Sequence, residues 1–250
     1  MSGRLRLVAR VAAGVLLSIA AHAQDPDPLA AQLDRLVSTK RVPAKSDDDP
    51  AGQIECTYYR DFMLRESGTD TPDPNDATLV PIAAGAPRPP CDMAEYANGL
   101  MLKTQGYSYV GRKDHFLLFS GTDPNGAVPF MLLDTGGGKV IFEDATPPDR
   151  GIQTVVLDNG TLHLGYKRAF NASCSLLMDP ANCWSSLVAD GKIPNGLAQP
   201  ARDFCAAAYK EEQAPAEDPS IVSYLVDTII DASGHVSTTA HGTIDCAPMP

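Results

Sequence analysis

The chain holds 250 residues, 44% hydrophobic and 20% charged, with 31 acidic against 20 basic side chains and a formal charge of -11. That length can bury one core of moderate size, and the apolar fraction excludes wholesale disorder. The acidic balance excludes a nucleic-acid binder, which needs a basic face for phosphates.

Residues 1–23 read as a secretory signal. Arg4, Arg6 and Arg10 form a positive start, Val11 to Ala20 an apolar stretch, and Ala21-His22-Ala23 a small-x-small site, so cleavage is expected before Gln24. The apolar run is shorter than the roughly 20 residues that span a bilayer. No cysteine lies near the cleavage point, so no membrane anchor is expected after cleavage. The remaining chain carries 17 basic and 31 acidic residues, a charge of -14.

Residues 24–54 read as a polar N-terminal extension. Pro28 to Lys40 predicts a short helix with Leu29, Leu33 and Leu36 on one face after Asp27 as cap. Ser46-Asp47-Asp48-Asp49-Pro50 reads as a solvated linker. Residues 55–250 are expected to form a single disulfide-braced, β-rich domain. Ile54 to Arg65 alternates and predicts one strand. Residues 67–90 contain six prolines and predict a long loop with one edge strand at Leu79-Val80.

From Gly106 to Lys167 the pattern is that of a β-meander. Phe116 to Phe119 and Val128 to Leu133 are strands separated by the turn Asp123-Pro124-Asn125-Gly126. Gly136-Gly137-Gly138 forces a reversal before Lys139 to Phe142. Asp158-Asn159-Gly160 predicts a tight hairpin between Thr154–Leu157 and Leu162–Tyr166, because Asn-Gly supplies positive φ angles. Helices are expected over Pro180–Ala189, capped by Asp179, and over Pro200–Glu212. Val222–Ile230 and Val236–Ile244 close the chain as a last hairpin. The fold class is therefore mainly β with small helices, an antiparallel meander or sandwich-like domain.

Six cysteines, Cys56, Cys91, Cys174, Cys183, Cys205 and Cys246, follow the export signal and predict disulfides. The neighbour pairing Cys56–Cys91, Cys174–Cys183 and Cys205–Cys246 is favoured because each bond clasps its own segment. Cys183–Cys205, joining the two helices, is its competitor. The spacings match no zinc-ligand pattern, and no metal or cofactor is expected. The acidic runs at Asp47–Asp49 and Asp70–Asp76 offer oxygen ligands but not the calcium-loop spacing. Asn171-Ala-Ser173 is a formal glycosylation sequon.

Catalytic signatures are few. Gly106-Tyr107-Ser108-Tyr109-Val110 lacks the second glycine of a nucleophile elbow, so Ser108 reads as a strand residue. His115, His163, His235 and His241 are not spaced as a ligand set. The segment Pro129 to Gly137, with Leu133-Asp134-Thr135-Gly136, resembles the Asp-Thr-Gly signature of aspartic peptidases of the single-domain retropepsin kind. The resemblance implies Asp134 as a carboxylate that shares a proton with a twin and activates water. It covers about nine residues, has Gly137 where the family has Ala or Ser, and would require a dimer. The same letters also describe a β-hairpin with a glycine-rich turn.

Two functional expectations follow. The first is an exported, acidic, non-enzymatic binding protein, periplasmic or secreted, whose partner is a basic secreted or periplasmic protein. An inhibitor or immunity factor against a cationic hydrolase is one concrete form. The alternative is an envelope hydrolase using Asp134.

Overall fold

The computed structural model describes residues 28–43, 53–68, 77–92, 94–123, 126–148 and 151–249. The signal segment, the Ser46–Pro50 linker and the acidic run at 70–76 lie outside the described residues. Three antiparallel sheets follow one another along the chain, and in each the hydrogen-bonded neighbours are consecutive strands. The first holds β1 (Ser38–Pro43), β2 (Gln53–Tyr58), β3 (Phe62–Gly68), β4 (Ala77–Pro81) and β5 (Leu100–Leu102). The second holds β6 (Ser108–Lys113), β7 (Phe116–Ser120), β8 (Val128–Asp134) and β9 (Val140–Thr146). The third holds β10 (Ile152–Asp158), β11 (Thr161–Asn171), β12 (Ser220–Ile230) and β13 (Val236–Pro248). Helices α1 (Pro180–Ala189) and α2 (Arg202–Glu211) occupy the connection between β11 and β12.

The second sheet is the middle layer. On one face Leu117, Phe119, Met131 and Leu133 meet Phe62, Leu64, Leu79 and Leu102 of the first sheet. On the other, Phe116, Leu118, Phe130 and Leu132 meet Leu162, Leu164, Tyr166 and Val226 of the third. Burial on both faces explains why Phe116–Phe119 and Phe130–Leu133 are unbroken apolar runs, since an alternating strand would place polar groups in one core. Phe130 and Tyr166 meet edge to face across the second interface, 5.1 Å between ring centres. The far face of the first sheet has its own small core of Ile54, Met63 and Val80, covered by the loop that carries Cys91.

The hairpin between β10 and β11 turns on Asn159 (φ 49°) and Gly160 (φ 80°), the geometry that Asn-Gly favours. Both helices form where expected. Asp179 caps α1 by accepting from the Asn182 N–H. The connection that carries them packs Leu187, Cys205 and Tyr209 into the same core as Val222 and Tyr224. The three disulfides are Cys56–Cys91, Cys174–Cys183 and Cys205–Cys246, which settles the pairing against Cys183–Cys205. They fit an oxidising compartment. Among the described residues no helix is long and apolar enough to cross a membrane.

Three expectations need correction. Ile54–Arg65 is not one strand but the hairpin β2–β3, because Tyr59-Arg60-Asp61 turns with the Tyr59 N–H bonded to the Phe62 carbonyl at 2.9 Å. Leu79-Val80 lies in β4, which is an interior strand between β3 and β5. The helix over Pro28–Lys40 does not form either. Residues 28–37 run as turns and irregular chain before β1, because their backbone and side chains find partners across the sheets.

These residues make a strap over two sheet edges. The Gln32 carboxamide donates to the Gln153 carbonyl and accepts from the Val155 N–H, both at 2.9 Å, and so pairs with edge strand β10 as a peptide group would. Two residues on, the Asp34 N–H bonds to the Arg112 carbonyl of edge strand β6 at 2.8 Å. Leu29 and Leu33 pack against the core between the second and third sheets. Gly111 is the residue that lets the strap come close, since a Cβ there would lie 2.5 Å from Leu33 Cδ1.

Candidate functional site

Asp134 ends β8 and begins the reversal into β9. Its N–H bonds to the Lys139 carbonyl at 3.0 Å, its carbonyl accepts from the Gly138 N–H at 2.8 Å, and the Thr135 N–H reaches the His115 carbonyl at 2.9 Å. The turn is thus closed by backbone bonds. No second carboxylate is hydrogen-bonded to Asp134 among the described residues. The two turns of similar letters use their aspartates differently. Asp231 Oδ1 accepts from the Ser233 and His235 N–H groups at 2.8 and 3.0 Å, which lowers its pKa, with the Ser233 hydroxyl as the largest cause. Asp158 accepts from the Asn159 side chain at 2.9 Å.

The histidines stay apart. His115 Nδ1 lies 2.8 Å from Asp114, and His235 is exposed in the β12–β13 turn. On the outer face of the third sheet, His241 Nε2 lies 3.0 Å from Asp227, while His163 is exposed and pairs by register with Ile229. Ser108 is an exposed residue of β6. The Asn171 amide oxygen accepts from the Ala127 N–H at 2.9 Å, so that side chain braces a turn. Among the described residues no group of three His, Cys, Asp or Glu side chains could hold a metal ion. All six cysteines are in disulfides, which removes the thiolates that zinc would need.

Two charged clusters are brought together in space. At the strap, Arg112 makes a two-pronged pair with Asp61 at 2.6 and 2.9 Å and stands over the Phe62 ring. Asp34 lies 3.6 Å from the same guanidinium and accepts from the Asp114 N–H at 2.6 Å. The hydrogen bond from Arg112 holds the Asp61 carboxyl below the ordinary carboxylate range. Nearby, burial pushes the Tyr109 phenol well up, so it stays protonated. Between the second and third sheets, Arg168 and the Tyr166 hydroxyl converge on Asp144. Burial, then the Asp144 charge, raises the Tyr166 phenol. Both clusters are internally satisfied, and neither leaves a charged group aimed at an open cleft.

The connection 172–219 differs. It carries Asp179, Asp190, Asp203, Glu211, Glu212, Glu217 and Asp218 against Lys192, Arg202 and Lys210. Glu211 and Glu212 sit at the C-terminal end of α2, where the helix dipole disfavours negative charge. Neither forms an ion pair among the described residues, nor do Glu217 and Asp218. Met178, Val188 and Phe204 are exposed on this same connection, at 64%, 40% and 49%.

No protein-family model matches the chain, and no curated protein is similar to it. Among solved structures, two point variants of the apocarotenoid oxygenase of Synechocystis are each 13% identical, over 82% of this chain, with a TM-score of 0.23. The chain spans 38% of their length. A likeness of that size transfers neither fold nor chemistry.

Sequence reasoning on single motifs missed the strap and the Arg112 junction. Gln32, Arg112 and Val155 have no shared spacing; only the docking of the three segments brings them within hydrogen-bond reach.

Proposed function

We propose that the chain is an exported, non-enzymatic binding protein that offers an acidic, disulfide-braced surface to a cationic partner in the periplasm or outside the cell. An inhibitor or immunity factor against a basic secreted hydrolase fits this chemistry. The observation that carries the reading is the unpaired acid run at the end of α2. Four carboxylates, Glu211, Glu212, Glu217 and Asp218, lie within eight residues that include no base. The first two oppose the helix dipole, so the helix gains nothing from them. Charge kept at a local cost is explained by an encounter with a positive surface, whose rate it raises. The exposed Phe204 supplies an apolar anchor of the kind that binding surfaces favour.

The test is calorimetric titration against a panel of basic secreted hydrolases, a lysozyme among them, at about 50 and about 300 mM salt. Saturable binding that weakens at the higher salt, and that is weaker for the double substitution Glu211→Gln, Glu212→Gln, is expected. Absence of binding across the panel, or binding indifferent to salt and to these substitutions, would sink the reading.

A further inference from the structure

A cleft of about 270 Å³ lies at one end of the first sheet, between the β2–β3 turn and the loop after β4. Its charge runs against that of the chain. Arg60 and Arg88 both line it, and among the described residues no acidic side chain does. Neither arginine forms an ion pair among the described residues, although the chain carries a surplus of carboxylates. The reason is local. Asp61, next to Arg60, is taken up by the two-pronged pair with Arg112, and Glu55 is taken up by Arg41.

The walls are fixed before any ligand arrives. The loop is tied to β2 by Cys56–Cys91 and to the turn by the Ile82 N–H on the Asp61 carbonyl at 2.7 Å. Pro87, Pro89 and Pro90 restrict its backbone further. Arg88 is oriented by the Ser38 hydroxyl at 3.3 Å and by the Tyr58 ring beneath it, 5.9 Å away. Rigid walls lower the ordering cost of binding. Beside the two arginines, Val37, Ile82 and Ala86 give part of the lining an apolar surface, next to Tyr59.

We propose that this cleft binds a small organic carboxylate. Its charged end meets Arg60 and Arg88, and a short apolar body lies against Val37 and Ile82. Guanidinium groups suit this role because their planar donor fork matches a carboxylate. The volume sits near the lower end of the range for ligand sites, roughly 300 Å³ upward, which limits the body to a few carbon atoms or one ring. This site is separate from the acidic surface of the α1–α2 connection, so either proposal can fail without the other.

The experiment is calorimetric titration with N-acetylleucine, hexanoate and phenylacetate, with N-acetylleucinamide and inorganic phosphate as controls. Amide chemical shifts on the wild-type protein locate the binding. At least one acid should bind saturably, with shifts confined to residues 37, 59–61 and 82–88. The amide and phosphate should bind about tenfold more weakly or not at all, and Arg60→Gln and Arg88→Gln should each weaken the acid about fivefold or more, Arg60→Gln with melting unchanged. Arg60 is exposed at a turn tip, so its substitution leaves the fold intact. Failure of all three acids to saturate, equal binding of the amide, equal binding of phosphate, or shifts elsewhere on the surface would each overturn the proposal.

Discussion

Arg112 joins carboxylates from two parts of the chain, Asp61 of the first sheet and Asp34 of the strap. Because the Asp61 pKa is lowered in the folded state, its contribution is fully present above the unfolded carboxylate value, about 3.9, and is lost as pH falls through the lower folded value. Asp61 is more than half exposed, so the contribution is about 1 kcal/mol or less. Stability of the wild type should therefore fall below about pH 4 more steeply than that of Asp61→Asn, as urea denaturation at stepped pH would record. Asp134 offers the contrasting case. Its turn is closed by backbone bonds, so Asp134→Asn should cost about 1 kcal/mol or less and leave partner binding unchanged. Denatured casein should remain uncut by the wild type between pH 4 and 7. Cleavage abolished by that substitution would turn the reading toward a dimeric aspartic peptidase.

Between elements, the strap and the second sheet test different kinds of packing. Gly111→Ala places a methyl group against Leu33 and should destabilise by about 1–3 kcal/mol. Gly137→Ala, whose Cβ meets nothing within 4 Å, should be close to neutral in the same urea titration. The second sheet was legible in the sequence because burial on both faces demands continuous apolar runs, and the Asn159-Gly160 hairpin because few other dipeptides adopt its φ angles. The first helix was legible from its Asp179-Pro180 start. The strap was not, for a physical reason. Leu29, Leu33 and Leu36 recur at helical intervals, yet Leu29 and Leu33 pack on the core while Leu36 is 45% exposed. The hydrogen bonds that hold this segment in its irregular path come from Arg112, Gln153 and Val155. The β2–β3 turn was hidden because Tyr59-Arg60-Asp61 contains neither Gly nor Pro. Of the candidate sites, Asp134 was visible as a motif. Arg60 and Arg88 became a pair only when the loop after β4 folded against that turn.

At the scale of the whole molecule, three disulfides each close a segment of different length. Chain entropy predicts about 4 kcal/mol for Cys205–Cys246, which closes 41 residues, and about 2.5 kcal/mol for Cys174–Cys183, which closes 9. Paired alanine substitutions should lower stability in that order, and the unsubstituted protein should take up no alkylating reagent when denatured without reductant. The same modular layout sets a timetable for folding. Each sheet pairs strands that are neighbours in sequence, so each can form as its own stretch of chain becomes free. The strap cannot. Gln32 bonds to Val155, 123 residues further on, and such distant closures are slow to form. The strap's contacts with β10 must therefore wait until that strand has formed, more than a hundred residues further along the chain. Until then, of the two edges, the strap can rest only on β6, and Leu29 and Leu33 lack the part of their core that the third sheet supplies.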